Sequence, residues 1–302
     1  MPPSRLLAAS LAALVAAVLL PRAAPAAASA PVWRNVNPLM QGRPASVRND
    51  GVEVRLEPRS EPYVVDGEEF EDRTLVITVS FPGHAPLVLP QGDETLPNHG
   101  IGVGIGRWAR GDAAPAVMLV GFTGGMHCCV TTRFVTLRPA GPELHSLPLA
   151  DAAPETRFPR DVDGDGVRDL VRSDDRFLYA FTSYNASWPP PQIWNLVAGA
   201  PVDVSDAPRY APLFRRFSRR AWTACREARP GACAGYTAAE ARLGNGEAAL
   251  QRAAAAAGAT DWLPTPCTVP LVDDSCPKGR ERGFADFTAA LRWFLAEHGY
   301  LR

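Results

Sequence analysis

Apolar and polar positions along the chain change their period once. From Gly51 to about Asp206, apolar residues come in short runs or alternate with polar ones, the two-residue period of strands. "RTLVITVSF" (73–81), "PAVMLVGF" (115–122) and "TTRFVTLRP" (131–139) are rich in β-branched and aromatic residues and bounded by Gly, Pro or Asp, which predicts three strands. "GIGVGIG" (100–106) alternates Gly with Ile101, Val103 and Ile105, so one face of that strand is bare backbone and the other apolar. It lacks the G-x-G-x-x-G spacing of a nucleotide loop. "AVMLVGF" followed by "RFVTLRPAGPELHSL" has the grammar of "VRDLVRS" followed by "QIWNLVAGAPVDV": a strand, an interruption, then two strands joined through Gly141 or Gly199. Such units predict antiparallel, propeller-blade-like or sandwich-like sheets. The region is too short for a closed ring of roughly four or more blades.

After Pro208 the period becomes helical. In "RYAPLFRRFSRRAWTACREA", Tyr210, Leu213, Phe214, Phe217, Ala221, Ala224 and Cys225 share a face, with Arg215, Arg216, Arg219 and Arg220 opposite. The arginines read first as a solvated face and second as a grip for an anionic lipid or glycan. Further helices are expected at 233–243, 246–257 and 282–298, and the proline-bearing loop between Thr260 and Arg282 needs an anchor. The fold class expected is α+β: a β-rich domain over 31–206 followed by an α-helical, disulfide-stapled region over 207–302.

The first 30 residues place Arg5 before an apolar run from Leu6 to Leu20, and small residues surround Ala26 to Ala30. This is the pattern of a secretory signal peptide. The run is shorter than the roughly 20 residues that span a bilayer. The chain is therefore expected to be exported, to the periplasm or beyond the cell, with no membrane span after cleavage. Losing Arg5 and Arg22 takes the formal charge from −1 to −3, a near-balance that argues against a nucleic-acid binder. The 30 prolines, about twice average usage, fit short strands and long loops.

"DVDGDGVRDLV" (161–171) places Asp161, Asp163, Asp165 and Asp169 at positions 1, 3, 5 and 9 of a loop. Alternate residues of a tight loop turn inward, Gly166 permits the sharp bend, and the Val167 carbonyl is available at position 7. Four converging carboxylates repel unless a hard cation sits among them, and the oxygen-rich set suits calcium (Ca2+) better than magnesium. The alternative is a hydrated acidic turn. Asp174 and Asp175 either extend the site or are plain turn residues. An EF-hand would need Glu where Arg172 stands, and helices on both sides.

The stretch resembles the D-x-D-G-D-G-x-x-D-L calcium loop of FG-GAP and VCBS-type repeats. That resemblance implies a calcium loop between strands of a propeller-like sheet in an exported protein. It covers about a dozen residues in one copy, and the Gly-Ala-Pro that follows the strand in those repeats is missing here; "GAP" at 199–201 comes too late. "GGMHCC" (124–129) ahead of such a loop is similar to bacterial exported proteins of no assigned role.

Six cysteines in an exported chain favour disulfides. Cys225 and Cys233 flank the Pro230-Gly231 break, and Cys267 and Cys276 lie in the long loop, so two local bonds would serve the places that need tying. Cys128 and Cys129 have three open states: a strained vicinal disulfide, bonds to separate partners in the helical region, or reduced thiols that with His127 bind a metal or exchange disulfides.

No H-E-x-x-H, G-x-S-x-G or P-loop is present, so no catalytic residue is assigned. The expected function is that of a non-enzymatic, calcium-stabilised binding module presenting its β surface to a protein or glycan partner. The alternative is an envelope thiol-redox or metal-handling protein working through His127, Cys128 and Cys129.

Overall fold

A computed structural model describes residues 29–89, 100–123, 129–151, 157–273 and 275–301. In chain order the N-terminal half holds β1 (Val32–Val36), α1 (Pro38–Gln41), β2 (Ala45–Asn49), β3 (Val52–Val65), β4 (Glu68–Ser80) and β5 (Leu87–Val88). Then come β6 (Ile101–Gly106), β7 (Ala116–Phe122), β8 (Val130–Arg138) and β9 (Gly141–Ser146), followed by β10 (Leu170–Ser173), β11 (Pro191–Val197) and β12 (Ala200–Asp203). Helices α2 (Ala211–Cys225), α3 (Pro230–Arg242), α4 (Gly246–Ala256) and α5 (Phe287–Glu297) complete the chain. The α+β class and the strand-then-helix order are those the periodicity predicts.

The strands form three antiparallel sheets, ordered β2-β3-β4-β5, β1-β6-β7-β8-β9 and β10-β11-β12. Hairpin turns follow local chemistry: Asp50-Gly51 and Asp66-Gly67 both have two positive φ values, the mirror-image two-residue turn that matches strand twist. β4 begins at Glu68, earlier than the "RTLVITVSF" run indicates, because cross-strand pairing with β3 continues to Val65 opposite Glu68. The two stretches with shared grammar become β7-β8-β9 and β10-β11-β12, each turning at its glycine.

The glycine-alternating strand fixes the layering. Ile101, Val103 and Ile105 point into a core shared with Val54, Leu56, Ile77 and Val79 of the four-stranded sheet. On the opposite face, a Cβ at Gly102 would overlap the Trp33 ring, and one at Gly104 would lie 2.5 Å from Phe158. The bare face is thus a bed for two aromatic rings. Behind it, Trp108, Met118, Phe134, Phe158 and Leu170 form a second core, against which Trp194 and Leu196 of β11 pack. The five-stranded sheet is therefore covered on both faces, which is why β7 and β8 are buried almost continuously rather than in alternation.

A smaller cluster of Ile193, Tyr210, Phe214 and Ala239 joins β11 to α2 and α3. The helices build their own core around Leu250, Leu291 and Leu295, which Phe177, Ala180 and Phe181 enter from the chain between β10 and β11. Observed α5 starts at Phe287, inside the expected 282–298, because Asp286 caps it by accepting from the Ala289 N–H at 2.8 Å. Among the described residues, no helix is long and apolar enough to cross a membrane.

Candidate metal centre

The acidic loop folds through its own side chains. Asp161 accepts from the N–H groups of Gly164 (Oδ1, 2.6 Å) and Gly166 (Oδ2, 2.9 Å). Asp163 Oδ1 accepts from Asp165 N–H at 3.1 Å, and Asp165 Oδ1 from Val167 N–H at 2.8 Å. These are the local turns that Asp forms readily, and Gly164 and Gly166 sit at φ 87° and 88°, where a side chain would be strained. An antiparallel bridge between Arg160 and Asp169 closes the loop, and Asp169 Oδ2 accepts from Val162 N–H at 2.8 Å.

Asp161, Asp163 and Asp169 each offer a carboxylate oxygen, all within 4.8 Å of one another. Asp165 stands outside that group. Val167 forms a bridge with Ala109, which ties the far side of the loop to the segment after β6. Asp163 Oδ2 is buried and accepts no hydrogen bond; Arg209 Nε lies 2.7 Å away, with its N–H not aimed at that oxygen, and 3.5 Å from Asp165 Oδ2. An ion pair thus sits against the cluster and brings charge, but no hydrogen bond, to that oxygen.

Asp163 and Asp161 are treated oppositely by their surroundings. Burial raises the Asp163 pKa; the Asp165 N–H opposes this, while the Asp169 and Asp165 charges add to it. For Asp161 desolvation also raises, but the Gly164 and Gly166 N–H groups outweigh it and hold the carboxyl below the ordinary aspartate value.

Behind the loop lies a buried polar network. Tyr210 donates to Asp169 Oδ1 at 2.5 Å, and Asn195 Nδ2 donates to the same oxygen at 3.2 Å and to the Tyr210 hydroxyl at 3.0 Å. Trp108 Nε1 in turn donates to Asn195 Oδ1 at 3.1 Å. Burial, and then the bond to Asp169, drive the Tyr210 pKa far up, so the hydroxyl stays a donor. One carboxylate therefore links the loop to β11 and to the start of the helical region, and Asn195 extends the network to Trp108 in the segment after β6. Sequence reasoning did not find Trp108, Asn195 or Arg209 as members of the site. Tyr210 was legible only as an apolar-face residue, because its partner lies 41 residues away.

Asp174 and Asp175 serve a separate junction. Asp174 caps a short 3-10 turn, pairs with Arg176 at 2.5 Å and accepts from the Tyr300 hydroxyl at 2.7 Å. Asp175 Oδ2 accepts from Asp151 N–H at 2.7 Å.

Cys225 bonds Cys233 and Cys267 bonds Cys276, the two local pairs expected. Cys129 is disulfide-bonded as well, and no free cysteine occurs among the described residues. The local pairing removes Cys225, Cys233, Cys267 and Cys276 as partners for it, which rules out bonds from the β region to the helical region. His127 and Cys128 lie outside the described residues. Cys129 N–H donates to Thr123 Oγ1 at 3.0 Å and its carbonyl accepts from Thr123 N–H at 2.9 Å, closing the turn between β7 and β8.

Comparison with known proteins adds relatives to this geometry. Residues 214–299 match the family model described as sll0997 C-terminal domain; this range holds most of the helical region and leaves the acidic loop outside. The chain is 30% identical over 201 residues to the "Probable thylakoid lumen protein sll0997" of Synechocystis, a match covering 64% of this chain and 58% of that protein. It is 29% identical over 202 residues to the "Uncharacterized protein y4bJ" of Sinorhizobium fredii, covering 64% of this chain and 31% of that one. The chain thus spans less than two thirds of the length of either relative. No solved structure matches it. The family match begins inside α2 and takes in α3 to α5, and the match to the Synechocystis protein covers more of the chain than that range.

Proposed function

We propose that this chain is an exported protein, stapled by disulfides, in which calcium held by the 161–169 loop clamps the β-rich part to the helical part. Asp161, Asp163 and Asp169 would supply the first ligands, with Asp165 and the Val167 carbonyl completing the shell. The observation that carries this reading is Asp163 Oδ2: a buried carboxylate oxygen without a hydrogen bond, in a group of three carboxylates. A buried polar atom of this kind costs stability unless something fills its coordination, and oxygen-rich, carboxylate-lined loops are calcium's chemistry.

Two further observations support export. The cysteines among the described residues are bonded, as in oxidising compartments, and the relative from Synechocystis is named for the thylakoid lumen. The clamp reading assigns the loop no reaction. With a Kd of about 0.1 mM, typical of extracellular modules, calcium at about 1 mM would stabilise the fold by ~1.4 kcal/mol.

The test is the melting temperature of the wild type and of Asp163→Ala/Asp165→Ala, each in calcium and in chelator. The wild type should melt higher in calcium and the double variant should not respond. A wild-type melting temperature indifferent to calcium removes the proposal.

A further inference from the structure

A cleft of about 790 Å³ opens beside the acidic loop, between residues 157–162 and β10 on one wall and the first turns of α2 on the other. Its volume falls within the roughly 300–1,000 Å³ range of small-ligand sites. Arg157 and Arg160 stand on the loop wall, and Arg216 and Arg219 on the helix wall. All four are exposed, and none is placed in an ion pair among the described residues. In a chain whose formal net charge is −1, four guanidinium groups against the two carboxylates of Asp161 and Asp169 in the same lining leave a local excess of positive charge. Arg215 and Arg220, on the same helix, do not line it.

Apolar side chains share the lining with the arginines. Leu213 and Pro212 line the cleft from the helix, and Val162 and Val171, 38% and 37% exposed, from the strand side. Cations alone would fit a solvated surface; cations beside partly exposed apolar side chains select a ligand with both characters. Guanidinium forks match the planar or tetrahedral oxygens of carboxylate and phosphate. Asp161 and Asp169 also line the cleft, and Asp169 is held by Tyr210 and Asn195.

We infer that this cleft binds a small amphiphilic anion, a carboxylate or phosphate carried on an apolar body, with the acid gripped by Arg157, Arg160, Arg216 and Arg219. The site depends on the arginines and not on the calcium reading, and the two fail separately.

Octyl phosphate and octanoate, titrated calorimetrically into the full chain in calcium and in chelator, report the two acids separately; octyl glucoside and inorganic phosphate report the tail and the acid alone. At least one octyl acid should bind, and both controls should bind more weakly. Arg216→Glu/Arg219→Glu and Arg157→Glu/Arg160→Glu should each weaken it about tenfold or more, and Arg215→Glu/Arg220→Glu no more than about twofold, since charge-assisted contacts need the facing groups. Each variant is checked by its melting temperature, and Arg216→Gln/Arg219→Gln replaces any that has lost the fold, with the same loss expected. The inference is overturned if neither acid binds, if octyl glucoside binds as well as either acid, if the Arg215/Arg220 pair matters equally, or if binding appears only with calcium and ignores the arginines.

Discussion

The Tyr210 hydroxyl donates to Asp169 Oδ1 at 2.5 Å inside the protein, joining the residue that opens the helical region to the residue that closes the acidic loop. Because Asp169 also accepts from Asn195, the bond belongs to a buried network rather than a surface pair. Tyr210→Phe keeps the ring and deletes the donor, so Asp169 keeps a buried charge with one partner fewer. The expected loss is about 1–3 kcal/mol in denaturant-unfolding free energy. A variant as stable as the wild type would show that the network contributes nothing net.

Arg209 and calcium compete, in the proposed clamp, for the same carboxylates. Arg209 lies against Asp163 and Asp165 and is partly exposed, so its own stabilisation is on the order of 1 kcal/mol or less. Arg209→Gln should lower the melting temperature in chelator, narrow that deficit in calcium, and tighten calcium binding severalfold by calorimetry. Weaker calcium binding in the variant would contradict the competition.

Gly235 lies where α3 meets the backbone at Trp188, and a Cβ there would overlap the Trp188 carbonyl oxygen. In an exposed helix, replacing Gly by Ala stabilises by about 1 kcal/mol. Here the sign reverses: Gly235→Ala should destabilise by about 1–3 kcal/mol, the usual range for overpacking. Thermal unfolding of this single variant decides between propensity and packing.

The two staples should differ in effect although they close loops of similar size, with sequence separations of 8 and 9. Cys225 and Cys233 are fully buried in the helical core, so Cys225→Ala/Cys233→Ala loses both the cross-link and core packing, about 3–5 kcal/mol in all. Cys267→Ala/Cys276→Ala, in the loop before α5, should cost about 2–3 kcal/mol, mainly through the unfolded chain. Parallel urea titrations of the two variants compare them, and equal losses would mean that burial of the first pair adds nothing.

His298, half-buried at the end of α5, has its pKa lowered, first by burial and then by the Arg176 charge. Between the ordinary imidazole value of about 6.5 and the lower folded value, the unfolded chain binds the extra proton. Stability present above that window should therefore fall as pH drops through it. His298→Asn should flatten the curve there; an identical slope in both proteins would assign the pH dependence elsewhere.

The hairpins at Gly141 and Gly199, the strands at 101–106, 116–122 and 130–138, and the four long helices were legible because period and turn residues are local. So were the two disulfide pairs, whose partners are close in sequence. The early start of β4 was not, since Glu68 to Asp72 carry no apolar alternation and are held as strand by β3. Nor was the buried alliance of Trp108, Asn195, Asp169 and Tyr210, whose members come from four separate elements and whose side chains, read singly, look like core aromatics and turn polars.

By itself the sequence determined the order of elements, the acidic loop with its alternating aspartates, and the cysteine pairs, because each depends on interactions within a few residues. Only the tertiary structure decided which aspartates converge, which carboxylate oxygen is left without a hydrogen bond, and which of the helix arginines face a cleft. Those outcomes depend on desolvation and on groups brought together by packing of distant segments, and neither quantity exists until the chain has folded.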